Sequence, residues 1–352
     1  MARESAGGMQ VQLLIIVAGA VLFSLLVGVL AQPIGRLLGL LDYPDPHGGR
    51  KRHDRITPLV GGSAVMVPAL VTIAWLAWSM AGVPGGAATD IGWLGLAAGS
   101  VYLLGVTDDR FNLSAMPRLL VTVSVFALIM MVRSEFAIGH LRFSAFPFPV
   151  ALGDFGPLFT LLCLVGLLNA VNMADGKNGL VIGLALIWTA CIGAYAGPDV
   201  QYVLAALGAA LAVALVFNMY GRFFLGDGGS YGLSALLGLL AIYVYNDPTA
   251  GLSAGRIAVW FAIPVLDCVR LMLMRASKGR SPFSGDREHL HHLLGKLLGW
   301  PRGLLAYWLM VGLPCLATFL FPGNSLGILL IEVLGYATFI AVVYRRQVTA
   351  RA

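Results

Sequence analysis

The chain has 352 residues, of which 59% are hydrophobic and only 11% are charged. Soluble globular domains carry roughly 25% charged residues, so this composition excludes an ordinary soluble protein and predicts a chain embedded in a membrane. The 23 lysines and arginines exceed the 17 acidic residues, which gives a net charge of +6.

Apolar segments recur along the whole chain, each bounded by charges, glycine or proline. A membrane-spanning helix needs about 20 apolar residues, so the chain can hold ten or eleven and leaves too little for a separate soluble domain. We therefore expect one all-α, polytopic membrane domain over residues 1–352, with about eleven transmembrane helices and ten as the alternative. The expected spans lie near residues 11–32, 59–81, 91–107, 118–133, 156–173, 179–196, 200–217, 231–246, 256–274, 303–321 and 326–344.

The loops between these spans alternate in their content of basic residues. Four of the 23 basic residues, Arg3, Arg133, Arg142 and Arg256, fall on one side, and the other 19 fall on the opposite side. Loops rich in lysine and arginine face the cytoplasm, so we expect a periplasmic N-terminus and a cytoplasmic C-terminus. The segment after Arg133 mixes apolar residues with glycine and proline, which is typical of a short outer hairpin.

Ten of the 17 acidic residues and five of the six histidines lie on or near the predicted cytoplasmic side. Side chains of these kinds, converging from five loops, predict a site for an anionic, metal-bound ligand. A channel or transporter would instead place ionisable groups within the spans. Asp267 and Arg270 of the ninth span are the main candidates for that pattern, so a transporter or lipid flippase is the weaker alternative.

The first polar motif follows the third predicted span, in the segment GVTDDRFNLSAMPR. Two adjacent carboxylates repel each other, so Asp108 and Asp109 are best explained by a bound cation or by one of them acting as a base. A solvated helix end is the alternative.

The strongest motif is NAVNMADGKNGL, at the end of the fifth predicted span. Asn169, Asn172 and Asp175 are spaced i, i+3, i+6 and share one broad face of a helix, which Gly176 and Gly179 then end. Carboxylate and amide oxygens beside a flexible turn suit Mg²⁺. An ordinary polar helix cap is the alternative.

Two later motifs are suited to binding phosphate. In FLGDGGS, consecutive glycines let backbone N–H groups approach a phosphate, and Asp227 can face a metal. In SPFSGDREHLHHLL, Arg287 with His289, His291 and His292 is suited to clamp a pyrophosphate. The alternatives are close helix packing for the glycines and an amphipathic helix with surface histidines.

Taken in order, KRH…TPLVGG, DDRFNLS, NAVNMADGKNGL, GDGGS and SPFSGDREHLHHLL resemble the motifs of the polyprenyl-phosphate N-acetylhexosamine-1-phosphate transferases, the MraY- and WecA-like group of glycosyltransferase 4. The motifs are more similar to the WecA type, undecaprenyl-phosphate GlcNAc-1-phosphate transferase, than to the MraY type. The resemblance implies a Mg²⁺-dependent enzyme, with Mn²⁺ as an alternative, that transfers a sugar 1-phosphate from a UDP-sugar to undecaprenyl phosphate and releases UMP. It also implies a multi-pass protein of the bacterial inner membrane with a cytoplasmic active site.

The resemblance further implies roles for individual residues. Asn172 and Asp227 would bind Mg²⁺. The aspartates implied to take part in catalysis are Asp108, Asp109, Asp175 and Asp227. The residues implied to bind the substrates are Asn169, Asn178, Arg118, Arg287, His289, His291 and His292.

One position departs from the family's pattern. Bacterial members usually have NxxNxxDGxDGL, whereas this chain has Asn178 in place of the second aspartate, at a position associated with uracil recognition in relatives. An amide can still hydrogen-bond to uracil, so we expect the affinity for the nucleotide to change while activity is kept.

The expected partners are a UDP-sugar, undecaprenyl phosphate and the lipid bilayer, without nucleic acid. GlcNAc is the expected sugar, and the product would start a lipid-linked glycan such as O-antigen. Another UDP-sugar, such as a 6-deoxy-N-acetylhexosamine or MurNAc-pentapeptide, and a catalytically inactive scaffold are the remaining alternatives. Spans rich in small residues are compatible with a homodimer.

Overall fold

The structure is a computed structural model that describes residues 2–44, 55–82, 86–281 and 288–349. Across these residues the chain is almost entirely helical. The helices are α1 (Ala2–Val29), α2 (Ala31–Leu38), α3 (Gly61–Ser79), α4 (Ala87–Phe111), α5 (Ala115–Val132), α6 (Gly156–Ala174), α7 (Leu180–Gly193), α8 (Pro198–Met219), α9 (Gly226–Asn246), α10 (Ala254–Ser277), α11 (Leu290–Leu298), α12 (Arg302–Leu320) and α13 (Ser325–Thr349). Arg287 and the basic run at residues 50–52 lie outside the described residues.

Ten helices in the described part of the chain are long and apolar enough to cross a membrane. The predicted all-α polytopic membrane fold is therefore confirmed. The expected span near residues 179–196 corresponds to α7, which is apolar but has only 14 residues. At 1.5 Å per residue α7 is about 21 Å long, shorter than a hydrocarbon core of about 30 Å. The count of ten by length therefore matches the alternative given by the sequence.

The helix α9 forms the centre of the bundle. Within the most apolar 18 residues of α9, 94% of the residues are buried. The corresponding fraction is 17% for α5 and 22% for α13, whose apolar side chains face outward. Small residues let neighbouring helices approach the start of α9 closely, since a Cβ at Gly62 of α3 would collide with Gly229 and one at Gly105 of α4 with Asp227. This backbone-to-backbone contact is the usual way small residues join membrane helices.

Short antiparallel strand pairs lie at both ends of the bundle. At one end, β1 (Leu41–Asp42) pairs with β2 (Thr57–Pro58). The carbonyl of Pro58 then accepts a hydrogen bond of 2.9 Å from the backbone N–H of Phe224, and the N–H of Gly62 donates to Leu225 at 2.8 Å. These bonds join the TPLVGG motif to the turn that precedes α9.

At the other end, β3 (His140–Leu141) pairs with β4 (Val150–Ala151), which confirms the predicted hairpin after Arg133. This hairpin is held by the end of α9, where the Tyr245 hydroxyl donates to the carbonyl of His140 at 2.9 Å and accepts from the backbone N–H of Arg142 at 2.7 Å. The hairpin and the polar motifs therefore lie at opposite ends of the bundle. Which end faces the cytoplasm stays a prediction from the basic residues.

Candidate active site

The first aspartate of the pair at the end of α4 is buried and held by several donors. Asp108 is 3% exposed. Its Oδ1 accepts from the backbone N–H of Leu113 at 2.8 Å, and its Oδ2 accepts from Nη1 of Arg118 at 2.5 Å. The Tyr231 hydroxyl of α9 adds a weaker bond of 3.4 Å to Oδ2. Asp108 is thus an ordered anion compensated by Arg118, and the alternative of a solvated helix end does not describe it.

The second aspartate caps the N-terminus of α9. Oδ1 of Asp109 accepts from the backbone N–H of Asp227 and Oδ2 accepts from that of Gly228, each at 2.9 Å. A carboxylate in this position satisfies N–H groups that have no partner within the helix and interacts favourably with the helix dipole. These two N–H groups therefore bind Asp109 rather than a phosphate, and the glycines of GDGGS follow the alternative of close helix packing.

Asp227 connects the start of α9 to the end of α6. Nδ2 of Asn172 donates to Oδ1 of Asp227 at 2.6 Å and to the Ser230 hydroxyl at 3.1 Å. Oδ2 of Asp227 lies 4.0 Å from Nη1 of Arg118. Three motifs that are far apart in the sequence, DDRFNLS, NAVNMADGKNGL and GDGGS, thus meet around Asp227.

Asp175 ends α6 beside this cluster. Its part-buried carboxylate accepts no hydrogen bond from the described residues. Burial and the negative charge of Asp227 raise the pKa of Asp175 to about 8. A carboxyl group that titrates near neutral pH can exchange a proton in a reaction.

The two remaining asparagines of the motif lie apart from these contacts. Nδ2 of Asn169 donates to the carbonyl of Val165 in its own helix at 2.8 Å. The backbone carbonyl of Asn178 accepts from the indole N–H of Trp300 at 3.2 Å, which fixes the backbone and leaves the side chain part-exposed. Neither amide is hydrogen-bonded to Asp227, so the structure brings Asn172 into the central cluster and leaves Asn169 and Asn178 at its edge.

The histidine motif packs against the loop after α6. His289 and His291 are 5% and 1% exposed, and the ring centroids of His291 and His292 are 4.2 Å apart. Nε2 of His291 has no hydrogen-bond partner among the described residues and faces Gly176, where a Cβ would lie only 2.5 Å away. Burial, His292 and His289 hold the pKa of His291 well below its usual range, so the ring is neutral at pH 7.

Several residues that position these groups were not predicted from the sequence. Asn218, at the end of α8, accepts from the backbone N–H of Gly179 at 2.6 Å and donates to the carbonyl of Phe223 at 3.0 Å. It therefore ties the loop after α6 to the turn before α9.

Asp267 and Arg270 were noted only as charges within a span, and they bind the histidine segment. An acidic and a basic residue three positions apart in an apolar helix are the signal that could have identified them.

The donors around Asp227 are chemically suited to Mg²⁺. Among the described residues no three His, Cys, Asp or Glu side chains form a metal cluster. Mg²⁺, however, needs only one or two carboxylates, because it usually keeps several waters and takes substrate phosphate oxygens. Asn172 uses its amide nitrogen to bind Asp227, which leaves its oxygen as a further ligand. Asp227 and Asn172 together therefore fit the ion.

Comparison with known proteins points to one family. A family model described as glycosyl transferase family 4 matches residues 91–245. The chain is 34% identical over 286 residues to an undecaprenyl-phosphate alpha-N-acetylglucosaminyl 1-phosphate transferase of Salmonella typhi, an alignment covering 78% of this chain and 74% of that protein. It is 34% identical over 287 residues to the Escherichia coli K12 protein of the same name, with the same coverage. The Haemophilus influenzae protein of that name is 31% identical over 281 residues, covering 76% of this chain and 74% of the relative.

Proposed function

Because the chain belongs to glycosyl transferase family 4, we propose that it transfers N-acetylglucosamine 1-phosphate from UDP-GlcNAc to undecaprenyl phosphate. The names of the relatives supply the lipid and the sugar. The observation that carries the proposal is the meeting of Asp109, Asn172 and Arg118 around Asp227 at one end of a membrane bundle. A lipid phosphate and a nucleotide sugar can only meet at such an end.

The reaction exchanges one phosphoanhydride bond for another. An oxygen of the lipid phosphate attacks the β-phosphorus of UDP-GlcNAc, and the bond from that phosphorus to the oxygen bridging to the α-phosphorus breaks. UMP leaves with the bridging oxygen, and the sugar phosphate becomes part of a lipid-linked diphosphate. The barrier is largely repulsion between anions, so catalysis depends on positive charge and on positioning.

Within the site, some residues would contact the metal or a phosphate and others position those residues. Asp227 and Asn172 would hold Mg²⁺, which when bound neutralises phosphate charge. Arg118, 29% exposed beside Asp227, supplies a fixed positive charge for a phosphate. Asp109 fixes the start of α9 and therefore the position of Asp227. These assignments separate the paired aspartates, since Asp108 orients Arg118 whereas Asp109 orients Asp227.

Asp175 is the carboxylate available for proton transfer. Asp108, Asp109 and Asp227 all accept hydrogen bonds from protein groups, whereas the Asp175 side chain accepts none within the described part of the chain. A phosphomonoester has a second pKa near 6, so most of the lipid phosphate is already ionised at pH 7. A base is therefore helpful for the remaining monoanion and is not indispensable.

The distribution of basic residues supports a position of this end of the bundle at the cytoplasmic face of the inner membrane. Nineteen of the 23 lysines and arginines lie on that side in the predicted topology. UDP-sugars are made in the cytosol, so the orientation agrees with the reaction. In intact cells, a cysteine introduced at the exposed Lys177 should not react with a membrane-impermeant thiol reagent, whereas one introduced at Phe148 should react. The reverse result would overturn the orientation.

The reaction is tested by release of UMP from purified protein. We expect release with UDP-GlcNAc, undecaprenyl phosphate and Mg²⁺, none without the lipid, and none after the divalent cation is removed, with Mn²⁺ tested for restoration. UDP-GalNAc, a 6-deoxy UDP-sugar and UDP-MurNAc-pentapeptide, assayed in parallel, decide the sugar. Failure to release UMP from every UDP-sugar would overturn the proposed function.

A further inference from the structure

Asp267 is a buried carboxylate in α10 that binds donors from its own helix and from two other parts of the chain. Its Oδ1 accepts from the Tyr336 hydroxyl of α13 and from Nη2 of Arg270, each at 2.8 Å. Its Oδ2 accepts from the backbone N–H of Leu290 at 3.1 Å and faces Nδ1 of His289 at 3.2 Å. The carboxylate thus joins the last helix of the chain to the first residues of the histidine motif.

Arg270 completes this connection. Its Nε donates to the Tyr336 hydroxyl at 2.8 Å and its Nη1 to the Tyr344 hydroxyl at 3.0 Å. Its Nη2 also donates to the backbone carbonyl of Glu288 at 2.6 Å, and Tyr344 donates to Oε2 of Glu288 at 2.6 Å. Both tyrosines of α13 therefore hold the segment that begins the histidine motif.

The contact with Asp267 places a proton on Nδ1 of His289. The Asp267 carboxylate can only accept, so Nδ1 is the donor of this hydrogen bond. Nε2 of His289 lies 3.5 Å from Nη2 of Arg275. Both ring nitrogens of His289 face protein groups, whereas Nε2 of the neighbouring His291 faces the loop at Gly176.

An ion pair buried in a membrane helix is expensive to desolvate and adds little stability compared with apolar residues of the same size. The four hydrogen bonds to Asp267 offset that cost, and they require Arg270, Tyr336 and the start of the histidine motif to be in these positions. The pair is therefore better explained by its effect on the histidine motif than by its contribution to folding.

We propose that Tyr336, Arg270 and Asp267 are positioning residues that act through His289 to hold His291 and His292 against the loop after α6. His289 is then a positioning residue as well, and the last helix becomes part of the site that binds the UDP-sugar. This inference rests on the proposed function for its kinetic consequence, and its structural content concerns only the protein.

The kinetic test is a double-mutant cycle. Tyr336→Phe removes only the hydroxyl, and we expect about a 10-fold loss in kcat/KM for UDP-GlcNAc, because hydrogen bonds to charged groups are the strong ones. In a His289→Gln background the same change should cost less than twofold, because residues that act through one another are not additive. Tyr245→Phe, which removes a comparably buried hydroxyl with two hydrogen bonds at the opposite end, should keep wild-type kinetics. An equal loss in both backgrounds, or a Tyr336→Phe variant no different from Tyr245→Phe, would overturn the proposal.

A second measurement does not depend on the reaction. In protein labelled with ¹⁵N-histidine, the NMR signal of His289, assigned with His289→Gln, should show a proton on Nδ1. Tyr336→Phe should shift this signal and Tyr245→Phe should not. The absence of a proton on Nδ1, or a signal unchanged by Tyr336→Phe, would contradict the network even if the enzyme is active. If the wild type releases no UMP, the proposed function fails and this measurement alone decides the inference. If Tyr336→Phe does not fold, Tyr344→Phe takes its place in both tests.

Discussion

Nε2 of His291 faces Gly176 so closely that a Cβ added to the glycine would lie 2.5 Å from that nitrogen. The contact joins two motifs that are 115 residues apart in the sequence. It brings the histidine segment next to Asp175 and to the loop that carries Asn178. The histidine motif and the asparagine motif therefore form one site.

Gly176→Ala should displace the His291 ring. Because the ring is buried and packed against His292, we expect at least a 10-fold rise in KM for the UDP-sugar, together with a loss of stability of about 1–3 kcal/mol from overpacking. Gly166→Ala is the matched control, since Gly166 lies in α6 with no heavy atom within 4 Å of an added Cβ. Equal KM values for the two variants would show that the contact does not matter for binding.

Asp227→Asn should abolish Mg²⁺-dependent release of UMP, with a loss of at least about 100-fold, the size typical for removal of one electrostatic group at a reacting phosphate. The fold should survive, because the amide preserves the shape of the side chain. Asp247→Asn makes the same change at the far end of α9, where the carboxylate binds Thr249, and should be fully active. Near-normal turnover by Asp227→Asn over a Mg²⁺ titration would remove Asp227 from the metal site.

Asp109→Ala should destabilise the protein as well as inactivate it. The substitution leaves the backbone N–H groups of Asp227 and Gly228 without their cap, and loss of an N-cap costs about 0.5–2 kcal/mol. Thermal unfolding in detergent measures the effect against Asp154→Ala, an exposed acid at the opposite end. If both variants melt at the wild-type temperature, the capping role is wrong.

The buried His291 should make stability depend on pH. Its pKa is lower in the folded protein than in the unfolded chain, so the unfolded chain takes up the proton first as pH falls below about 6.5. The free energy of unfolding should then decrease as the pH is lowered, by up to about 1.4 kcal/mol per pH unit from this group. Thermal unfolding between pH 5 and 7.5 should show a weaker pH dependence in His291→Gln than in the wild type. The same slope in both would contradict the prediction.

Asn178→Asp should keep activity and change KM for the UDP-sugar. The side chain is part-exposed and its backbone is held by Trp300, so a carboxylate fits without displacing a neighbour, while it exchanges an amide donor for a charge. Steady-state kinetics with UDP-GlcNAc and UDP-GalNAc measure the change. Unchanged kinetics for both sugars would show that this departure from the family pattern is silent.

The sequence alone was sufficient for the membrane fold, the hairpin after Arg133 and the motifs that form the site. Hydropathy and turn residues are local properties, so about 20 apolar residues predict a span wherever that span packs. The weakest prediction was α7, since an apolar run cannot show how many of its residues will be helical. In the structure its helix has only 14 residues, although it still runs alongside α8 from the Asn218 end to Leu204 near that helix's start.

Tertiary structure decided what each polar residue does. Asp108 and Asp109 are neighbours in the sequence, yet one binds Arg118 and the other caps a helix that begins more than 110 residues later. In the sequence, Asp267 and Arg270 resemble the charges of a transport pathway. In the structure, they are hydrogen-bonded to two tyrosines of α13. Such roles depend on which helices pack together, and contacts between distant segments leave no periodic signal in the sequence. Composition therefore determined where the chain resides, and helix packing determined which of its few charges bind one another.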